Sequence, residues 1–166
     1  MDVIIKSSLH TLKKAKALLE NLTDDTLCNK SVSPYYSSIG THIRHILDFY
    51  DCIFSINLEN KIDLTARSRS KEAETLCCKA KMYLDSTMEK LLNFELEMKD
   101  FILVTDDLGL GKVEITYSYG ALFSQANSHT IHHYAIINYI LEGLSISIKD
   151  SDFGLNPTTP KQTALN

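Results

Sequence analysis

Apolar residues recur along the first twenty positions at close to helical period. Ile5, Leu9, Leu12, Leu19 and Leu22 form one stripe, with Lys13, Lys14 and Lys16 outside it. This predicts a first helix over about residues 2–22. The polar run from Thr23 to Pro34 breaks the pattern. A second stripe, Ile39, Ile43, Ile46, Leu47, Tyr50, Ile53 and Phe54, predicts a helix that starts near Tyr35 to Ser38 and runs to about Ile56. Residues 57–70, rich in charge and serine, read as a loop. Ala73, Leu76, Ala80, Tyr83, Leu84, Thr87 and Leu91 predict a third helix over about Lys71 to Phe94.

The period then changes. Phe101 to Val104 is an apolar run, Gly109 and Gly111 punctuate it, and Val113, Ile115 and Tyr117 alternate with polar residues. That is the signature of a short β-hairpin. A last helix is predicted over about Gly120 to Glu142, with Gly143 as its C-cap. The expected fold is therefore all-α: a four-helix bundle with a short β-hairpin between helices three and four. Residues 1–148 form the domain, and residues 149–166 a polar, proline-containing tail that lies over the surface or is disordered.

Length and charge narrow the function classes. The chain has 166 residues, the size of one domain, and a formal net charge of −4 without a basic stripe. Binding to phosphate backbones needs clustered Lys and Arg, so nucleic acid is not an expected partner. No run approaches the length of a membrane span, and the N-terminus mixes apolar and charged residues where a signal peptide would be uninterrupted. Cys28, Cys52, Cys77 and Cys78 show no C-x-x-C spacing and read as reduced thiols. These features suggest a cytoplasmic protein without a membrane partner.

The candidate chemistry lies in histidines. His129 and His133 are four apart on the last predicted helix, so they lie about 40° apart around its axis and can grip one ion. His132 stands three from His129, a less common pairing. The second helix carries His42 and His45, and helical phase alone does not settle which of them enters the core. A third imidazole would complete a three-nitrogen site with open coordination positions, the arrangement of catalytic zinc centres. Asp48, one turn after His45, has two readings. It accepts the second N–H of a metal-bound histidine or acts as a base beside the metal, or it faces solvent and pairs with Arg44 at i,i+4. His10, the adjacent Cys77 and Cys78, and the tyrosines Tyr35, Tyr36 and Tyr134 have plainer readings as packing or surface residues. Gly109 and Gly111 lack the rest of a phosphate-binding loop.

Two motifs carry a resemblance. Ser38, Ile39 and Gly40, followed by His45, Ile46, Leu47 and Asp48, and then His129-Thr130-Ile131-His132-His133, are similar in order and separation to the DinB/YfiT-like superfamily of metal-dependent four-helix bundles. The resemblance covers roughly residues 1–145. It implies metal ligands at His45, His129 and His133, a zinc or nickel ion, and a homodimer. It also implies a small-molecule substrate, with a low-molecular-weight thiol as a further partner, since characterised members include bacillithiol- and mycothiol-dependent transferases and isomerases and others are described as hydrolases. Many members continue the second motif as H-H-R-G-Q, where this chain has His132, His133, Tyr134, Ala135 and Ile136, and Ser128 stands where Asn is frequent. The substrate is therefore not transferable from any member. A metal on neutral imidazoles serves either hydrolysis or thiol transfer, with Asp48 as the candidate catalytic group. The alternative is a non-catalytic, metal-binding or stress-related dimeric bundle.

Overall fold

The computed structural model describes residues 1–57 and 59–160. Among these it has six helices and three strands: α1 (Val3–Leu19), α2 (Asp24–Cys28), α3 (Ile39–Phe54), β1 (Lys61–Asp63), α4 (Lys71–Thr75), α5 (Cys77–Leu92), β2 (Phe101–Asp107), β3 (Lys112–Ser118) and α6 (Tyr119–Gly143). The architecture is mixed α/β, which corrects the expectation of an all-α four-helix bundle. Three local events account for the difference.

Strand β1 lies inside the segment expected to be a loop. It pairs parallel with β2, Ile62 opposite Val104, and turns the hairpin into a three-stranded mixed sheet of order β1-β2-β3. Its three residues contain one apolar position, Ile62, which is fully buried, so no periodicity announces it. The expected third helix is two helices. Leu76 between them is extended, with φ −122° and ψ 116°. The first amide of α5, that of Cys77, donates to the Asp24 carboxylate at 2.7 Å, so α2 supplies a cap from a distant part of the chain. The short helix α2 itself forms in the run expected to be irregular, capped by the Thr23 hydroxyl on the Thr26 amide.

The hairpin forms as the alternation implies. β2 and β3 pair antiparallel from Phe101 opposite Ser118 to Asp107 opposite Lys112, and Gly109 and Gly111 both take positive φ in the turn. Gly143 is the last residue of α6 and does not cap it. Leu144 is the C-cap, and Ser145 adopts the left-handed conformation.

The core lies where α1, α3, α5 and α6 meet. Leu12, Ile39, Ile43, Ile53, Leu84, Phe123 and Ile137 are all buried there. The Ser38-Ile39-Gly40 motif has a separate physical task at each residue. The Ser38 hydroxyl accepts from the Thr41 amide and starts α3. Ile39 is core. Gly40 lies so close to the Glu74 carbonyl that a β-carbon would collide with it. The chain after α6 folds back onto the body: Lys14 binds Asp150 at 3.0 Å, and Phe153 is buried and stacked on Tyr134 with ring centres 4.5 Å apart. The remainder of the tail, residues 161–166, lies outside the described residues. Within them, no helix is long and apolar enough to cross a membrane.

Candidate metal centre

Helices α3 and α6 pack against each other and bring three histidines together. His45 comes from α3, and His129 and His133 from consecutive turns of α6. One ring nitrogen from each lies within 4.8 Å of the others. The ring centres are 4.9 Å apart for His45 and His129, 4.7 Å for His45 and His133, and 4.4 Å for His129 and His133. No fourth His, Cys, Asp or Glu joins the group among the described residues.

The donor set fits a divalent ion. A metal-binding imidazole must be neutral, and all three are held so. Burial pushes His45 down to about 4, helped by the Arg67 guanidinium and then by His129. His129 is lowered to about 4, again by burial and then by Arg67. His133 goes down to about 2, by burial and by the surrounding imidazoles. His129 Nε2 is buried and has no hydrogen-bond partner in the protein. An orphaned ring nitrogen of this kind is costly without a ligand and suited to coordinating one.

Other residues fix the orientation of the rings. His133 Nδ1 lies 2.9 Å from His42 Nδ1, and His42 Nε2 lies 2.8 Å from the Ser37 hydroxyl. In the direction in which His133 donates to His42 and His42 to Ser37, the Nε2 lone pair of His133 is left free for a metal. Fixing a ligand's tautomer through its second nitrogen is the usual arrangement in metal sites. The sequence left His42 and His45 in competition. In the structure, His45 joins the cluster and His42 supports it. Phe49, one turn beyond His45, packs against the His129 ring with centres 5.1 Å apart.

Asp48 stands apart from the cluster. It is fully buried, and four donors occupy its carboxylate. Ser68 and Tyr83 hydroxyls donate to Oδ1 at 2.9 and 3.0 Å, while Arg44 and the Arg69 amide donate to Oδ2 at 3.0 and 3.2 Å. The expected pairing with Arg44 forms, but at a carboxylate buried in the fold and not facing solvent. Arg44 also grips Glu74 through Nε and Nη2 at 3.0 and 2.7 Å. Asp48 thereby fastens the loop that follows β1. That loop carries Arg67, whose Nη1 lies 2.8 Å from His45 Nδ1. Sequence reasoning passed over Arg67, because a lone arginine in a polar loop has no pattern to distinguish it.

An open cavity of ≈ 1030 Å³ lies beside His42 and His132, the neighbours of His133, and none of the three clustered histidines lines it. It is lined by Val32, Pro34, Tyr35, His42, His132, Ile136 and Tyr139 among others. His132 is exposed there, its ring 5.3 Å from that of His133. Tyr134 faces away, its hydroxyl donating to the Thr11 carbonyl. The four cysteines are free; Cys52 and Cys77 are buried, and burial raises both thiols to about 11. His10 takes no part in the cluster. No family model, curated protein or solved structure matches this chain.

Proposed function

We propose that the protein is a metal-dependent enzyme that acts on a small molecule by hydrolysis or thiol transfer, with His45, His129 and His133 holding a zinc or nickel ion. One observation carries the reading: three imidazoles converge with their ligand atoms within 4.8 Å, and one of those rings has a buried nitrogen without a partner among the described residues. Three protein ligands leave coordination positions for exogenous molecules, which a closed structural site does not.

When bound, the metal polarises a substrate atom or lowers the pKa of a water or thiol placed against it. The protein supplies the rest. His42 and Ser37 hold the His133 ring, Phe49 walls off the His129 side from water, and the cavity beside His42 and His132 has the volume for a small organic molecule. Asp48 acts through position, by fastening the loop that holds Arg67. This replaces the proton-transfer role that its sequence position suggested, because all four hydrogen bonds to its carboxylate are already made.

The test is a screen of esters, amides and pairs of low-molecular-weight thiols with electrophiles, run on zinc-loaded protein, chelated protein and the His133→Ala variant. Turnover by the loaded protein alone is the expected result. Zinc bound without turnover of any class, together with unfolding on chelation, would favour a structural metal and the non-catalytic alternative.

A further inference from the structure

The Arg67 guanidinium is in an unusual position for a cation. Its Nε donates to the Leu64 carbonyl at 3.0 Å, which fixes the base of the group. Its Nη1 lies 2.8 Å from His45 Nδ1 and 3.3 Å from His45 Nε2. Whichever ring nitrogen bears the lone pair, the guanidinium sits against it. Among the described residues the charge is otherwise met only by the Phe49 ring, 6.0 Å from its carbon centre. No carboxylate pairs with Arg67 among the described residues, whereas Arg44 has two.

A guanidinium has donors and no acceptor, so it competes with a metal for the same lone pair on His45 and repels the ion's charge. A metal and Arg67 in its present place are mutually exclusive at His45. Released from the imidazole but still anchored at Leu64, the planar fork would stay beside the centre carrying an unpaired charge. An arginine fork is shaped for a carboxylate. We propose that metal and a carboxylate ligand bind this centre together, Arg67 leaving His45 to take the ligand's carboxylate. This rests on the metal reading above and extends it by naming the ligand class: a small carboxylate.

Reciprocal linkage makes the proposal measurable without turnover. A ligand that favours the displaced state of Arg67 must raise metal affinity, and metal must raise affinity for the ligand by the same factor. Zinc affinity of the full chain is measured by competition with a chromophoric chelator, across an acetate series at constant ionic strength, with acetamide as the neutral isostere. Acetate should strengthen zinc binding to the wild type by about tenfold, and acetamide should leave it unchanged. Acetate in bulk solution only lowers free zinc, so it cannot imitate this gain. Arg67→Gln should bind zinc about tenfold more tightly than wild type without acetate, the worth of one hydrogen bond from a charged group, and should not respond to acetate. Arg67→Lys, which keeps the charge and loses the fork, should lose most of the acetate gain. Zinc affinity of the wild type that is indifferent to acetate, or an acetate gain retained in Arg67→Gln, overturns the proposal and leaves the metal reading standing. Failure of the wild type to bind zinc before any acetate is added overturns both.

Discussion

Zinc loading of the metal-free protein at about pH 6 should release almost no protons from the three histidines. Ordinary imidazoles with pKa near 6.5 are mostly protonated at that pH, and three of them would together give up about two protons to a metal. Here burial, the Arg67 charge and the crowding of the rings hold His45 and His129 down to about 4 and His133 to about 2. At about pH 6 His45 and His129 then carry on the order of a hundredth of a proton each, and His133 far less. Titration calorimetry in buffers of different ionisation enthalpy reads the number directly, as the slope of apparent binding heat against buffer heat. A slope near zero is expected, rising only as the pH is taken down toward 4. Release of about two protons at pH 6 would refute the argument, because it would mean that the rings are solvated and charged in the metal-free protein. The same depressed values set the acid behaviour. The unfolded chain protonates its histidines first, so the stability tied to these rings is present above about pH 6.5 and is lost as the pH falls through about 4.

Removal of the imidazole that supports His133, by His42→Ala, should weaken zinc binding by about 10–100-fold with little effect on the urea midpoint of the metal-free protein; equal zinc affinity in chelator competition would show that the His42–His133 contact is incidental. Asp48→Ala leaves Arg44 short of one carboxylate and strips Ser68, Tyr83 and the Arg69 amide of their acceptor. A loss of roughly 3–5 kcal/mol in chemical denaturation is expected, and a loss under 1 kcal/mol would contradict the structural role given to it. Gly40→Ala drives a methyl group into the Glu74 backbone carbonyl, which has no side-chain freedom with which to yield. It should cost about 3 kcal/mol, the upper end for overpacking, and a loss under about 1 kcal/mol in chemical denaturation would contradict the close approach of these two segments.

Much of this was legible in the sequence because it is periodic. The stripes that define α1 and α3 recur at 3.6 residues, and the alternation of Val113, Ile115 and Tyr117 gave the hairpin. The i,i+4 spacing of His129 and His133 put both on one face of α6 for the same reason. What escaped depends on contacts between distant segments. β1 is a strand only because Leu103 to Thr105 lie beside it. The third stripe runs unbroken through Leu76, yet the chain bends there, with the Cys77 amide taken by Asp24 some fifty residues earlier. The site divides along the same line. Phase could not separate His42 from His45, since that depends on where Ser37 and α6 stand. Arg67 became visible only once Asp48 had drawn its loop onto α3.

The most direct test of the metal centre is elemental analysis of untagged protein purified without added metal, beside His45→Ala, His129→Ala and His133→Ala. About one zinc or nickel per chain, lost from each variant, is the predicted result. Metal content unchanged in all three variants, or a wild type that holds none and takes up none when it is supplied, would contradict the account.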